Sequence, residues 1–172
     1  MPDALPDVKV PDLSGNVKSL RDFPGHPLIV NFWATWCEPC RREMPLLQQL
    51  QQREGPNGLQ ILGVAIDSRD AVQQYLKARP VSYPILADEN AGSEAMSHFA
   101  DAPVLPFSVV ADAQGRILLV KFGELHADEA DYILATAREV AAGHQTLQQA
   151  RTAIPGKLRE LAIARAKADH TS

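Results

Sequence analysis

An unbroken apolar run, LIVNFW at residues 28–33, constrains the fold of this chain more than any other feature. It has the length of one strand and shows no alternation of apolar and polar residues, which indicates burial on both faces of a parallel sheet. A second apolar run, at 59–66, follows a stretch in which Met44, Leu47 and Leu50 recur at helical spacing. Strand, helix and strand in this order predict a βαβ unit with neighbouring parallel strands and a right-handed crossover.

The remaining segments extend this unit into an α/β domain. Periodicity and turn residues predict a lead-in hairpin over 8–20, a turn at 24–25, helices over 69–78, 93–100 and 124–142, and a hairpin over 107–123 that turns at 112–115. A last helical stretch, 145–168, is expected to break at Pro155. We therefore predict one domain over residues 1–142 and a helical C-terminal extension over residues 143–172.

Charge and hydropathy exclude several partners. Seventeen basic residues against twenty-one acidic ones give a net charge of −4, without the basic excess that binding to nucleic acid or anionic lipid requires. No apolar run reaches the roughly 20 residues of a membrane span, and no leader pattern follows Met1. The chain could therefore be a cytosolic protein or a mature protein from which a leader has been removed, and a membrane tether could lie outside this sequence.

The two cysteines, Cys37 and Cys40, lie where the first strand ends and the helix begins. Linking residues so close together closes almost no loop and adds little stability, so their value is chemical. At the helix N-terminus, N–H groups and the helix dipole stabilise a thiolate, which makes Cys37 the predicted nucleophile. Cys40, one turn further on and more buried, is the predicted resolving thiol.

The alternative for this pair is a passive surface disulfide or half of a zinc site. Structural zinc takes four ligands, and neither a second cysteine pair nor a spaced cluster of histidines completes such a set. We therefore expect no metal and no cofactor, apart from the redox-active disulfide of Cys37 and Cys40 itself.

The segment NFWATWCEPCRREMP, the strand LGVAID, a Tyr-Pro loop, a Val-Leu-Pro segment and the final hairpin resemble the TlpA/ResA-like branch of the thioredoxin superfamily over roughly residues 5–142. The resemblance implies a thioredoxin-like fold, with a mixed central sheet flanked by helices and a βα insertion before Pro106. It implies a bacterial, periplasmic or otherwise extracytoplasmic protein, often membrane-tethered, that reduces disulfides in cytochrome c maturation or related tasks. Its partners would be protein thiols or disulfides and an upstream thiol electron donor.

Residues around the cysteines are predicted to bind the substrate protein. The resemblance places a cis-proline at Pro106, which would leave the Leu105 backbone available to an extended substrate; the alternative is a trans-proline that begins a strand. Trp36 would offer an apolar floor for docking. Glu38 and Pro39, between the cysteines, complete this predicted substrate-binding set.

Asp67, at the end of the second strand, is a predicted third catalytic residue. Neighbouring parallel strands end at the same edge of a sheet, so its carboxylate could raise the pKa values of the thiols and relay the proton of Cys40. Alternatively, Asp67 or Ser68 caps the next helix. Thioredoxins that resemble this chain have a buried aspartate where it has Asn31, which we expect to be a hydrogen-bonded amide of the core.

The leading functional prediction is a reductase, because Glu38 and Asp67 would destabilise the thiolate and thereby favour the disulfide form. A thiol oxidase or isomerase is the alternative. A peroxiredoxin-type peroxidase needs a differently spaced threonine, since Thr35 is separated from Cys37 by one residue. A Sco-like copper module needs a longer cysteine spacing and a histidine near Leu105. The apolar side of residues 147–161 could pack on the domain or form a dimer, so we expect a monomer or a weak dimer.

Overall fold

The computed structural model describes residues 2–24, 27–102 and 104–171. The chain divides into two compact units, residues 1–125 and 126–172. The boundary that the sequence suggests after residue 142 stays a prediction. Of the predicted turn at 24–25, Gly25 lies outside the described residues.

The first unit contains a small hairpin and a larger mixed sheet. In the hairpin, β1 (Lys9–Pro11) pairs antiparallel with β2 (Val17–Ser19), as predicted. The described part of the chain forms a five-stranded sheet of order β5-β4-β3-β6-β7. Its strands are β3 (Leu28–Trp33), β4 (Gln60–Ala65), β5 (Ile85–Ala87), β6 (Phe107–Ala111) and β7 (Ile117–Phe122).

The pairing within the large sheet confirms the predicted βαβ unit. Strand β3 is central and runs parallel to β4, which in turn runs parallel to β5. On its other side β3 pairs antiparallel with β6, and β6 pairs antiparallel with β7. All six residues of β3 are buried, as its unbroken apolar run predicts. The ends of β3 and β4 therefore lie side by side, which sets the position of the cysteines.

Each α-helix described in the first unit is preceded by a residue whose side chain accepts a backbone hydrogen bond. These helices are α1 (Glu38–Glu54), α2 (Arg69–Ala78) and α3 (Glu89–Ser97), and their capping side chains are those of Cys37, Ser68 and Asp88. Helix α3 begins four residues before its predicted start because Asp88 satisfies the N–H of Ala91 at 2.8 Å.

Helix α3 packs closely on the end of β4. A Cβ atom at Gly92 would lie 3.1 Å from the carbonyl oxygen of Ala65 and 3.3 Å from Ile66. The missing side chain at Gly92 therefore lets the helix backbone approach the sheet. On this side of the sheet the core combines aliphatic and aromatic residues from several strands, including Phe32, which stacks on Phe107 with ring centroids 4.4 Å apart.

The second unit consists of α4 (Ala127–Ala141) and α5 (Leu147–His170), which pack against each other. Arg165 of α5 forms ion pairs with Asp128 at 2.5 Å and with Glu129 at 3.6 Å. The predicted break at Pro155 is wrong, since α5 continues through it. Pro155 is exposed, so the carbonyl group that loses its helical partner can be hydrated.

Within the described ranges, no helix combines the length and the apolar composition that crossing a bilayer requires.

Candidate active site

The structure joins Cys37 and Cys40 in a disulfide, with Cα atoms 5.3 Å apart. Cys37 has extended backbone angles and is the N-cap of α1, so its sulfur accepts the N–H of Cys40 at 3.3 Å. Cys37 is 7% exposed and Cys40 is fully buried. The first sulfur therefore lies at the positive end of a helix, near solvent, and the second lies behind it.

The loop that leads into the disulfide is fixed by Asp67. Its Oδ2 atom accepts the backbone N–H of Thr35 at 3.0 Å and the Thr35 hydroxyl at 2.5 Å, while Oδ1 accepts the N–H of Ser68 at 2.8 Å. Ser68, and not Asp67, provides the side-chain cap of α2. Both oxygens of Asp67 therefore have backbone partners, and its predicted role as a proton relay stays a prediction.

Beside Cys37 lies an apolar groove with a volume of about 340 Å³. Three residues of the predicted substrate-binding set line it, namely Trp36, Pro39 and Leu105. Trp36 is 69% exposed, unusually open for such a large apolar side chain. The groove is also lined by Ile66, which follows β4, and by Ser93 and Met96 of α3.

The two remaining residues of the predicted set lie at the edges of this region. Pro106 is buried, and the Leu105–Pro106 peptide bond is cis, as the resemblance implies. Glu38 is exposed on the first turn of α1, 3.8 Å from Arg42. Arg42 makes a closer ion pair, 2.9 Å, with Glu124, which connects α1 to the segment after β7.

A second feature close to the cysteines in the chain is a buried carboxyl group, that of Glu43. It is 1% exposed and belongs to α1, three residues after Cys40. Its Oε1 atom accepts the side-chain amide of Asn31 at 2.6 Å, and its Oε2 atom accepts the backbone N–H of Leu125 at 2.5 Å. The same Asn31 amide also donates to the Ser108 hydroxyl at 3.1 Å, so Asn31 is the hydrogen-bonded core amide that we predicted.

Burial raises the pKa of Glu43 from its ordinary 4.5 to about 7, an effect to which the charge of Glu124 adds. The hydrogen bonds from Leu125 and Asn31 and the charge of Lys121 oppose this shift. Residues three apart on a helix are neighbours on one face, and Cys40 and Glu43 are both buried residues of α1. The site thus contains an acid that exchanges its proton near neutral pH.

The sequence analysis did not identify Glu43. A glutamate within a charged helical segment is usually exposed, and its two hydrogen-bond partners are 12 and 82 residues away in the chain. Two signals were nevertheless present in the sequence. Glu43 falls on the same helical stripe as Met44, Leu47 and Leu50, and Asn31 interrupts an otherwise apolar strand. A polar residue in each of two buried elements suggests that the two form a pair.

The described residues contain no group of three or more histidine, cysteine, aspartate or glutamate side chains that could hold a metal ion.

Known proteins similar to this chain share both its fold and its chemistry. Residues 1–117 match the model of the AhpC/TSA family. The thiol-disulfide oxidoreductase ResA of Bacillus thuringiensis subsp. konkukian is 33% identical over 120 residues, which cover 69% of this chain and 68% of that protein.

Solved structures give the same result. A thiol:disulfide interchange protein of the thioredoxin family from Chlorobium tepidum TLS is 29% identical with a TM-score of 0.68, covering 80% of this chain and 97% of that one. A secreted thiol-disulfide isomerase from Corynebacterium glutamicum is 28% identical, also with a TM-score of 0.68, covering 77% and 84% of the two chains. The chain therefore belongs to the AhpC/TSA family and is a thiol–disulfide oxidoreductase of the ResA type with a thioredoxin-like fold.

Proposed function

We propose that this oxidoreductase reduces disulfides of extracytoplasmic proteins, in a role of the cytochrome c maturation type. The TlpA/ResA-like resemblance supports this role, and the secreted Corynebacterium protein supports the location. The observation that carries the proposal is the placement of the disulfide, with Cys37 at a helix N-terminus beside an exposed apolar groove and Cys40 beside a buried acid.

In the reducing direction, the Cys37 thiolate attacks one sulfur of the substrate disulfide. A mixed disulfide forms, and the other substrate sulfur leaves as a thiolate. The Cys40 thiol then loses its proton and attacks Cys37, which closes the Cys37–Cys40 disulfide and releases the second substrate thiol. Two electrons pass from the protein to its substrate, and an upstream dithiol donor returns them.

The buried position of Glu43 makes it the acceptor for the Cys40 proton. Cys40 is fully buried, so water has little access to its thiol, whereas the carboxylate lies one turn along the same helix. A pKa of about 7 leaves a large fraction of Glu43 ionised at neutral pH, ready to take up a proton. This assigns to Glu43 the task for which the sequence suggested Asp67.

The same carboxylate supports the reducing direction. A negative charge beside a cysteine raises the pKa of that thiol and destabilises its thiolate, and a destabilised reduced form gives up its electrons more readily. Oxidants such as DsbA work by the opposite effect, since their reduced form is stabilised.

The test is the reduction potential of the Cys37–Cys40 pair, measured by equilibration in dithiol buffers and alkylation of the thiols. We expect a value near or below that of thioredoxin, about −270 mV. A value near that of DsbA, about −120 mV, would contradict the reductase and support an oxidase or isomerase. A Glu43→Gln variant should have a less negative potential, because the neighbouring charge is lost.

A further inference from the structure

A second groove lies between α1 and the segment that joins α2 to β5, on a surface that the proposed function does not use. Its volume is about 360 Å³, which is within the size range of binding pockets. Its lining is mostly apolar and includes two arginines, Arg41 of α1 and Arg79 at the end of α2, but no acidic side chain among the described residues. The groove is therefore positively charged, although the chain as a whole has a net charge of −4.

The guanidinium groups of both arginines are available to an anion. Arg41 and Arg79 are exposed, and within the part of the chain that the structure describes neither forms an ion pair with a carboxylate. Arg79 instead lies over the ring of Tyr75, with its Cζ atom 5.1 Å from the ring centroid. A stacked guanidinium keeps its in-plane N–H groups for other acceptors. Several other arginines already have carboxylate partners, namely Arg42, Arg53, Arg116 and Arg165.

Hydrogen bonds join the two walls of this groove. Gln48 of α1 accepts the backbone N–H of Ser82 at 2.7 Å and donates to the Ser82 hydroxyl at 3.0 Å. On the other wall, the ring of Tyr75 packs 5.5 Å from that of the buried Trp33. The groove is thus formed before a ligand arrives, which lowers the ordering cost of binding.

The groove begins close to the reactive cysteine. Arg41, Pro45 and Gln48 are spaced by four and three residues, so they follow one stripe of α1. Arg41 and Pro45 lie about 6 and 12 Å further along the helix axis than Cys37, at 1.5 Å per residue. Even a transient redox contact buries up to about 600 Å² of each partner, a patch about 14 Å in radius. A protein that exchanges a disulfide with Cys37 is therefore large enough to reach the groove, whereas a small thiol compound is not.

We propose that this groove binds a segment of the partner protein in which an acidic residue adjoins an apolar one. Its carboxylate is attracted by the guanidinium groups of Arg41 and Arg79, and the apolar side chain packs against Pro45 and Val81. The distance from Cys37 corresponds to about two to four residues of extended chain, so the acidic residue lies that close to the partner's reacting cysteine. The inference rests on the proposed exchange with protein disulfides and holds for either direction of electron transfer.

The test uses disulfide-bonded peptides with a Glu-Leu or a Gln-Leu pair placed about two to four residues from the reacting cysteine, on either side. In single-turnover reduction by the reduced full-length protein, the Glu-Leu peptide at the best spacing should react about 5-fold faster, and less so at high salt. Arg41→Gln/Arg79→Gln should bring this ratio of rates to about one. Because it compares two peptides, the ratio cancels any effect of the substitutions on the sulfurs.

A matched control is Arg69→Gln/Lys77→Gln. It removes two exposed positive charges of α2 that do not line the groove, so the net charge changes equally. The control should keep the 5-fold ratio. Peptides that are reduced at equal rates at every spacing, or a control that loses the ratio as fully as Arg41→Gln/Arg79→Gln, would overturn the inference while the oxidoreductase activity stands.

Binding is measured separately from disulfide exchange. The Glu-Leu peptide with serines in place of its cysteines, added to the oxidised full-length protein, should shift the Nε–H NMR signals of Arg41 and Arg79, assigned with the single variants Arg41→Gln and Arg79→Gln. Unshifted signals, or phenylacetate binding as tightly as the peptide, would overturn a partner segment as the occupant. If the signals shift but no peptide is reduced, the proposed function fails and the binding site for an acidic segment stands.

Discussion

On the solvent side of the disulfide, Trp36 is 69% exposed and lines an apolar groove, whereas on the sheet side Glu43 is 1% exposed and hydrogen-bonded to Asn31 and Leu125. An apolar, open surface suits docking of a partner protein, because burying it releases water. A buried polar cluster suits proton transfer, because charges interact strongly there and few alternative acceptors compete. In the proposed function, partner recognition belongs to the exposed groove and proton transfer to the buried cluster, so we expect that each can be changed without the other.

The largest effects are expected from replacing the two cysteines, whose proposed roles in disulfide exchange differ. We expect Cys37→Ser to lower the reduction of protein disulfides by about 10³-fold or more, because the remaining thiol, Cys40, is fully buried. Cys40→Ser should instead accumulate a covalent complex with the substrate, since attack can start but resolution fails. Non-reducing electrophoresis with a disulfide-containing protein distinguishes the two variants. A covalent complex with Cys37→Ser, and none with Cys40→Ser, would reverse the roles assigned to the two sulfurs.

On the sheet side, we expect Glu43 to make stability depend on pH. Its pKa rises from 4.5 in the unfolded chain to about 7 in the folded protein, so the folded state binds the proton more tightly. The protonated carboxyl group of Glu43 therefore adds to the free energy of unfolding below about pH 4.5. This contribution, about 3 kcal/mol, is lost as the pH rises to about 7.

Glu43→Gln removes this titration and keeps a similar shape. The difference in unfolding free energy between the variant and the natural protein, measured by urea unfolding of the oxidised forms from pH 4.5 to 8, should shift steadily in favour of the variant. A difference that stays constant over this range would show that Glu43 does not titrate as the structure indicates.

On the groove side, Trp36→Ala should lower kcat/KM for a protein substrate about 10-fold, through loss of about 1–2 kcal/mol of docking energy. The reduction potential should stay the same, because no charge near the sulfurs changes. Val17→Ala is a suitable control, since Val17 is 64% exposed on β2 and does not line the groove. If Trp36→Ala changed the reduction potential as much as Glu43→Gln, the groove and the buried carboxyl group would not act independently.

The smallest effect is expected at Asp67, whose oxygens hold Thr35 and Ser68. Asp67→Asn should cost about 1 kcal/mol of unfolding free energy through weaker hydrogen bonds. If Asp67 only positions the loop, the pH profile of disulfide reduction keeps its midpoint, and Ser68→Ala, which removes the cap of α2, gives a similar loss. A shifted midpoint in Asp67→Asn would instead support the proton relay that the sequence suggests.

The sequence predicts local features of this fold well. The run at 28–33 has the composition of a central strand, and the cysteine pair at its end is followed by a helix whose apolar spacing extends over several turns. The strand and the helix depend on residues that are close in the chain, so the spacing of their apolar residues is enough to predict them. The continuation of α5 through Pro155 could not be predicted, because the cost of a helical proline depends on whether the unpaired carbonyl reaches water.

The buried half of the site escapes prediction for a related reason. Asn31, Glu43 and Leu125 meet only after the sheet and α1 have assembled, and no local pattern says that a glutamate on a charged helix is covered. For Asp67, only the position along the chain could be predicted. Its position at the end of β4 was predicted correctly, yet its hydrogen bonds to the Thr35 backbone and hydroxyl could not be, because they depend on the exact path of the preceding loop.

The close approach of α3 to β4 at Gly92 has a consequence for how this enzyme could be retargeted. Ser93 and Met96 reach the groove from α3, whereas Cys40 and Glu43 belong to α1 and Cys37 is its N-cap. Although Trp36 and Pro39 also line the groove, the part of its wall that α3 provides thus lies in a different segment of the sequence from the cysteines and Glu43. Replacing the few side chains of α3 that line the groove, while Gly92 is retained, is a way to change which partner proteins the same redox centre acts on.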